Sequence, residues 1–84
     1  MDYKVLITLY FPEIEQSYEL YIPINKTINQ VIELIKQVVD DGASSLNLKN
    51  KAYRLANRRN NSIYHSNDIV RNTDIRNGSE LILF

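Results

Sequence analysis

The chain has 84 residues, no cysteine, no tryptophan, two prolines and two glycines, with 44% apolar and 24% charged side chains, the composition of one small globular domain over residues 1–84. The lack of cysteine excludes a disulfide framework, a thiolate zinc site and a thiol nucleophile, and so small a core argues against a deep enclosed active site. Ten basic and ten acidic residues cancel, which disfavours nucleic acid as the main partner, because phosphate binding depends on concentrated Lys and Arg. The balance is uneven along the chain. Residues 1–42 hold three Lys/Arg against seven Asp/Glu, net −4, and residues 43–84 hold seven against three, net +4. Met1-Asp2-Tyr3-Lys4 lacks the basic and apolar regions of a signal peptide. No apolar run approaches the ~20 residues of a spanning helix, so a cytoplasmic location without membrane insertion is expected.

Residues 3–11 are rich in β-branched and aromatic side chains, and Tyr3, Val5, Ile7, Leu9 and Phe11 are uniformly apolar. A strand with its odd face inward is predicted. After the polar connection around Pro12, residues 17–22 alternate again with Tyr18, Leu20 and Ile22 on one side, which makes the pair a β-hairpin. The period then changes. Thr27 and Gln30 have the capping-box spacing, and Ile28, Val31, Ile32, Ile35, Val38 and Val39 recur at three and four residues, predicting an amphipathic helix over 28–41. Gly42 is placed to end it as a C′ residue.

Beyond a polar connection over 43–50, residues 51–56 read as a third strand with Tyr53 and Leu55 inward. Residues 57–61 are an asparagine- and arginine-rich turn, 62–64 a short strand, and 68–77 irregular with Ile69, Val70 and Ile75 as anchors. Asn77-Gly78 signals a turn before a last strand over 79–84. Strand, strand, helix, strand, short strand, strand defines an α+β fold, a mixed four- to five-stranded sheet with one helix packed on one face. That is the β-grasp arrangement.

On these residues the chain resembles ubiquitin-like domains over nearly its whole length. Leu20-Tyr21-Ile22-Pro23 followed by Thr27-Ile28-Asn29-Gln30-Val31 and Ile35 is similar to the second strand and helix start of that superfamily, and residues 72–83 to its closing segment. Within the superfamily, Ile75-Arg76-Asn77-Gly78-Ser79-Glu80-Leu81-Ile82-Leu83 is similar to the ending of the small YukD-like (EsaB-like) proteins that accompany the bacterial type VII, or WXG100, secretion system. Ser79 replaces their acidic residue. The resemblance implies a non-catalytic protein-interaction module, an accessory or regulatory subunit docking on a membrane-embedded secretion component or its ATPase. Two departures from ubiquitin bear on function. The sequence given ends at Phe84 without the Gly-Gly tail of conjugating relatives and sulfur carriers, and alignment on Ala56 puts Arg54 where ubiquitin has the exposed isoleucine of its recognition patch. Receptors that grip that patch are not expected to bind.

No catalytic, cofactor or metal constellation emerges from the residues. His65 is the single histidine; Ser62, Ser66 and Asp68 lie near it in sequence, which is no triad. Asp40-Asp41 lacks a third ligand at a usable spacing. The candidate site is instead the outer face of the sheet, where strand alternation puts Leu6, Tyr10, Tyr21, Ile82 and Phe84 beside Arg54, joined by Arg58 and Arg59 from the turn. A protein partner, or a homodimer through this face, is expected. The alternative is a nucleic-acid-associated or sulfur-carrier-like β-grasp protein lacking the Gly-Gly tail, in which the same arginines and Tyr53 and Tyr64 would stack on bases.

Overall fold

A computed structural model describes residues 3–42 and 51–84, with helix side chains as far as Val39. Strand β1 (Lys4–Phe11) and strand β2 (Gln16–Pro23) form the expected hairpin, in antiparallel register from Lys4 opposite Pro23 to Phe11 opposite Gln16. Between them Pro12–Ile14 makes a 3-10 turn, closed by the Glu15 N–H donating to the Pro12 carbonyl at 3.1 Å. Glu15 takes φ 54 there, a left-handed conformation that the tight reversal imposes on a residue with a Cβ.

Helix α1 runs Ile28–Gly42, so Gly42 is its last helical residue and not the residue beyond it. The capping box forms as the sequence specifies. Gln30 N–H donates to Thr27 Oγ1 at 3.2 Å and Thr27 N–H donates to Gln30 Oε1 at 3.0 Å. Two more donors of the first turn, the N–H groups of Ile28 and Asn29, bond to the carbonyls of Asp68 and Ser66, so the polar segment 66–68 completes the helix start. Thr27→Ala is expected to cost about 1 kcal/mol. Thermal denaturation checks this, with a fall in Tm of roughly 4–8 °C for a domain of this size.

Strand β3 (Leu55–Asn57) pairs antiparallel with strand β4 (Glu80–Leu83), which lies parallel to β1, giving the order β2-β1-β4-β3. The sheet therefore has four strands, the lower of the expected numbers. β3 is shorter and later than the predicted 51–56. Arg54 and Phe84 still exchange backbone bonds of 2.6 and 3.0 Å, but before them the chain leaves the sheet, held by Lys51 and Tyr53 on Glu13 of the 3-10 turn. The predicted strand at 62–64 is reduced to one bridge, Ile63 opposite Ala56. Within the segment predicted as irregular, Val70–Asn72 forms a 3-10 turn.

β4 is registered on β1 by the turn that precedes it. Leu6 N–H donates to Asn77 Oδ1 at 2.8 Å, Gly78 N–H to the Leu6 carbonyl at 2.8 Å, and Thr8 N–H to the Ser79 carbonyl at 2.9 Å. Gly78 adopts φ 87, and Ser79 N–H donates back to the Arg76 carbonyl. A positive φ at the third residue of a turn is the type II requirement that glycine meets without steric cost.

The core lies between helix and sheet. Ile28, Val31, Ile32, Ile35 and Val39 pack with Ile7, Leu9, Phe11, Ile22, Leu55, Leu81 and Leu83, and Val70 and Ile75 plug one end. Burying each of these side chains stabilises the fold by roughly 1.5–3 kcal/mol relative to exposure. Two expected members are outside it. Tyr3, which precedes β1, is 53% exposed, and Val38 is 52% exposed. At 3.6 residues per turn Val38 lies about 80° from the centre of the stripe; it borders a shallow groove with Leu20 and Leu34 along β2. Lys36 lies as far off on the other side yet is only 6% exposed. There Lys51 passes over it, and Lys36 Nζ donates to the Lys51 carbonyl at 2.8 Å and to Glu33 Oε2 at 3.3 Å. The polar connection 43–50 and the Asp40-Asp41 side chains lie outside the described residues.

Candidate protein-interaction face

The helix covers the odd face of β1, which leaves the even residues on the other side of the sheet. Register aligns them into rows. One row runs Ser17, Tyr10, Ile82, Ala56; a second runs Glu19, Thr8, Glu80; Tyr21 faces Leu6 at one end of the sheet. Phe84 and Arg54, which exchange backbone bonds, sit beyond Ile82 and Ala56 at the other. Tyr21 and Phe84 are exposed by 64% and 46%. Leu6, Tyr10 and Ile82 are half-buried, less open than five freely exposed apolar side chains would be, and Ala56 is buried.

The three arginines are exposed but differ in what holds them. Arg58 reaches from the turn after β3 over the sheet, its guanidinium carbon 4.6 Å from the centre of the Tyr10 ring, a cation–π contact that also shields the ring. Arg59 Nε donates to Glu80 Oε2 at 3.2 Å, a surface ion pair of small energetic value. The Arg54 guanidinium has no partner among the described residues. The structure thus gathers Tyr10, Ile82, Phe84, Arg54 and Arg58 on the β4–β3 half of the face, leaves Leu6 and Tyr21 on the other half, and puts Arg59 at the rim. Sequence reasoning missed the Arg58–Tyr10 contact and the place of Glu80. Both follow only from the parallel register of β1 on β4, which no local pattern encodes.

Two tyrosine–carboxylate clusters lock the segments around this face. Tyr53 OH donates to Glu13 Oε2, whose other oxygen accepts from Lys51 Nζ at 2.7 Å. Tyr64 OH donates to Asp74 Oδ1 at 2.6 Å, and Asn57 Nδ2 donates to Asp74 Oδ2 at 3.2 Å. The bond from Lys51, then that from Tyr53, lowers the Glu13 carboxyl below its usual value of 4.5. Burial first, and the carboxylate partner second, raises both tyrosines above 10.0. The signs are opposite. A lowered carboxyl contributes stability that is present above 4.5 and lost as pH falls through the lower folded value; a raised phenol contributes stability present below 10.0 and lost as pH rises through the higher one. Thermal melts across pH should therefore show Glu13→Gln flattening the acid limb, and Tyr53→Phe and Tyr64→Phe flattening the alkaline limb.

His65 is exposed, and its side chain bonds to none of Ser62, Ser66 or Asp68 among the described residues. It borders a cavity of about 490 Å³ with Ile28, Ile32, Tyr53 and Leu55. No group of three or more His, Asp or Glu among the described residues is placed to hold a metal ion. No described helix is long and apolar enough to cross a membrane.

No protein-family model matches the sequence, and no curated protein matches it. Solved structures do match the fold. A chain of the MycP5-free ESX-5 inner membrane complex superposes with a TM-score of 0.78 at 12% identity, over 99% of this chain and 21% of that one. The ubiquitin-like domain of the Mycobacterium tuberculosis type VII secretion protein EccD1 gives 0.72 at 12% identity, over 99% and 98% of the two chains. A structure described as molecular mimicry of SUMO in DNA repair gives 0.80 at 15% identity, over 100% and 94%. The protein has the ubiquitin-like β-grasp fold, a class shared between type VII secretion components and proteins of other systems.

Proposed function

We propose that residues 1–84 form a single ubiquitin-like domain that works by binding protein and not by catalysis. In this reading it is an accessory or regulatory subunit of a bacterial type VII secretion system, of the YukD/EsaB-like kind. It acts in the cytoplasm, docking on a membrane-embedded component or its ATPase. The observation that carries the reading is the outer sheet face, where Tyr10, Ile82 and Phe84 lie beside exposed arginines. Aromatic and arginine side chains together are enriched at the energetic centres of interfaces. The closing segment Ile75-Arg76-Asn77-Gly78 and the likeness in fold to the EccD1 domain support the choice of system. Capture from native cells with the tagged chain tests it: a type VII membrane component or ATPase is expected among the recovered proteins, and recovery of none contradicts it.

A further inference from the structure

Arg58 differs from the other arginines in being positioned without being used. Its guanidinium stands over the Tyr10 ring at 4.6 Å, and it forms no hydrogen bond or ion pair with any described residue. Glu80, whose carbonyl accepts from the Arg58 backbone N–H, is engaged through its side chain by Arg59, so it is not the counter-ion. A guanidinium has five N–H donors in one plane and matches a carboxylate with two parallel bonds. The contact with the ring restrains the side chain while consuming none of those donors in a conventional hydrogen bond, which lowers the entropy lost on capture of an anion. Ile82 of β4, opposite Tyr10, and Phe84 just after the strand supply apolar surface beside it. Arg54, whose guanidinium also has no partner among the described residues, lies on the other side of β3, just before Leu55.

We propose that Arg58 on Tyr10 is a carboxylate receptor, and that the segment this face takes is acidic, with an aspartate or glutamate beside an aliphatic side chain that covers Ile82 and Phe84. The proposal rests on the protein-binding reading above and specifies its partner's chemistry. A nucleic-acid backbone is disfavoured on the same face, because Glu19 and Glu80 flank Thr8 in the adjoining row. A continuous polyanion has to cross that row. A single carboxylate docked at Arg58 does not.

The test is an NMR titration of the 15N-labelled full chain with three probes: the capped peptide Ser-Glu-Leu-Glu-Leu-Ser, its Ser-Gln-Leu-Gln-Leu-Ser counterpart, and a ten-residue oligothymidylate. The acidic peptide is expected to move the Arg58 Nε–H signal and the amides of Tyr10, Arg54 and Ile82, and the glutamine peptide to bind far more weakly. Arg58→Gln, an exposed turn position whose substitution leaves the amide spectrum otherwise in place, is expected to weaken the acidic peptide roughly tenfold, the scale of a charge-assisted bond. Arg58→Lys keeps the charge without the planar fork and should recover only part of the loss. Equal binding of the two peptides, unchanged affinity in Arg58→Gln, or tighter binding of the oligothymidylate overturns the proposal. If cellular capture of secretion components persists while the acidic peptide fails, the carboxylate receptor alone is wrong.

Discussion

Phe11→Ala is expected to destabilise the domain by about 3–5 kcal/mol, the cost of emptying a fully buried aromatic site. Phe11 is 0% exposed at the end of β1, and its ring meets Tyr53 edge-on with centroids 5.2 Å apart and planes at 85°. That geometry adds roughly 0.5–1.5 kcal/mol beyond area burial. It also sets Tyr53 against Glu13, so the substitution loosens the cluster that turns residues 51–53 away from the sheet. A domain of this size has a total stability of roughly 5–15 kcal/mol, of which this one change removes a large share. Urea denaturation followed by circular dichroism measures it; a midpoint shift corresponding to less than about 1 kcal/mol, below the range for a buried aromatic truncation, contradicts the assignment of Phe11 as a core anchor.

The second large effect is on binding. Ile82→Glu and Tyr10→Glu should each reduce partner capture more than tenfold while leaving the fold in place, since both side chains are half-buried on the outer face and neither belongs to the helix-facing core. Loss of a residue at the centre of an interface costs ~2 kcal/mol or more, and a carboxylate there adds a desolvation penalty. Tyr10→Glu acts in a further way, because it places an intramolecular carboxylate beneath Arg58 and occupies the group that meets the partner. The measurement is quantitative capture of the recovered component, with melting curves of each variant alongside. Unchanged capture by both variants rules out this face.

The elements that were legible in the sequence are those whose pattern is local. The alternation in β1 and β2 has a period of two, the stripe from Ile28 to Val39 has a period near 3.6, and the reciprocal bonds of Thr27 and Gln30 need only their three-residue spacing. Asn77-Gly78 marked its turn, although not that the Asn77 side chain would close the edge of β1 at Leu6. What was not legible depends on which segment lies over which. Lys36 and Val38 sit at equivalent angles from the helix stripe, and Lys51 passes over the lysine while the valine stays open. β3 begins late because Lys51 and Tyr53 answer to Glu13, forty residues away in the case of the tyrosine. Alternating apolar residues at 53 and 55 carry no trace of that competition.

The candidate face was legible in membership and not in arrangement. Alternation placed Leu6, Tyr10, Tyr21, Ile82, Phe84 and Arg54 on one side of the sheet, and the register does so too. Their division into two halves, the burial of Ala56 among them and the seat of Arg58 on Tyr10 required β4 to lie parallel beside β1 and β3 beyond it. Arg58 and Arg59, adjacent and alike in sequence, end in different environments, one over a ring and one on Glu80.

Site-specific photo-crosslinking in native cells tests the binding face most directly. A photoreactive residue at position 8, where Thr8 lies between Glu19 and Glu80 at the middle of the outer face, is compared with one at position 37, an exposed position on the helix. The expected result is a covalent adduct to a type VII secretion component from position 8 and none from position 37; adducts from position 37 alone contradict it.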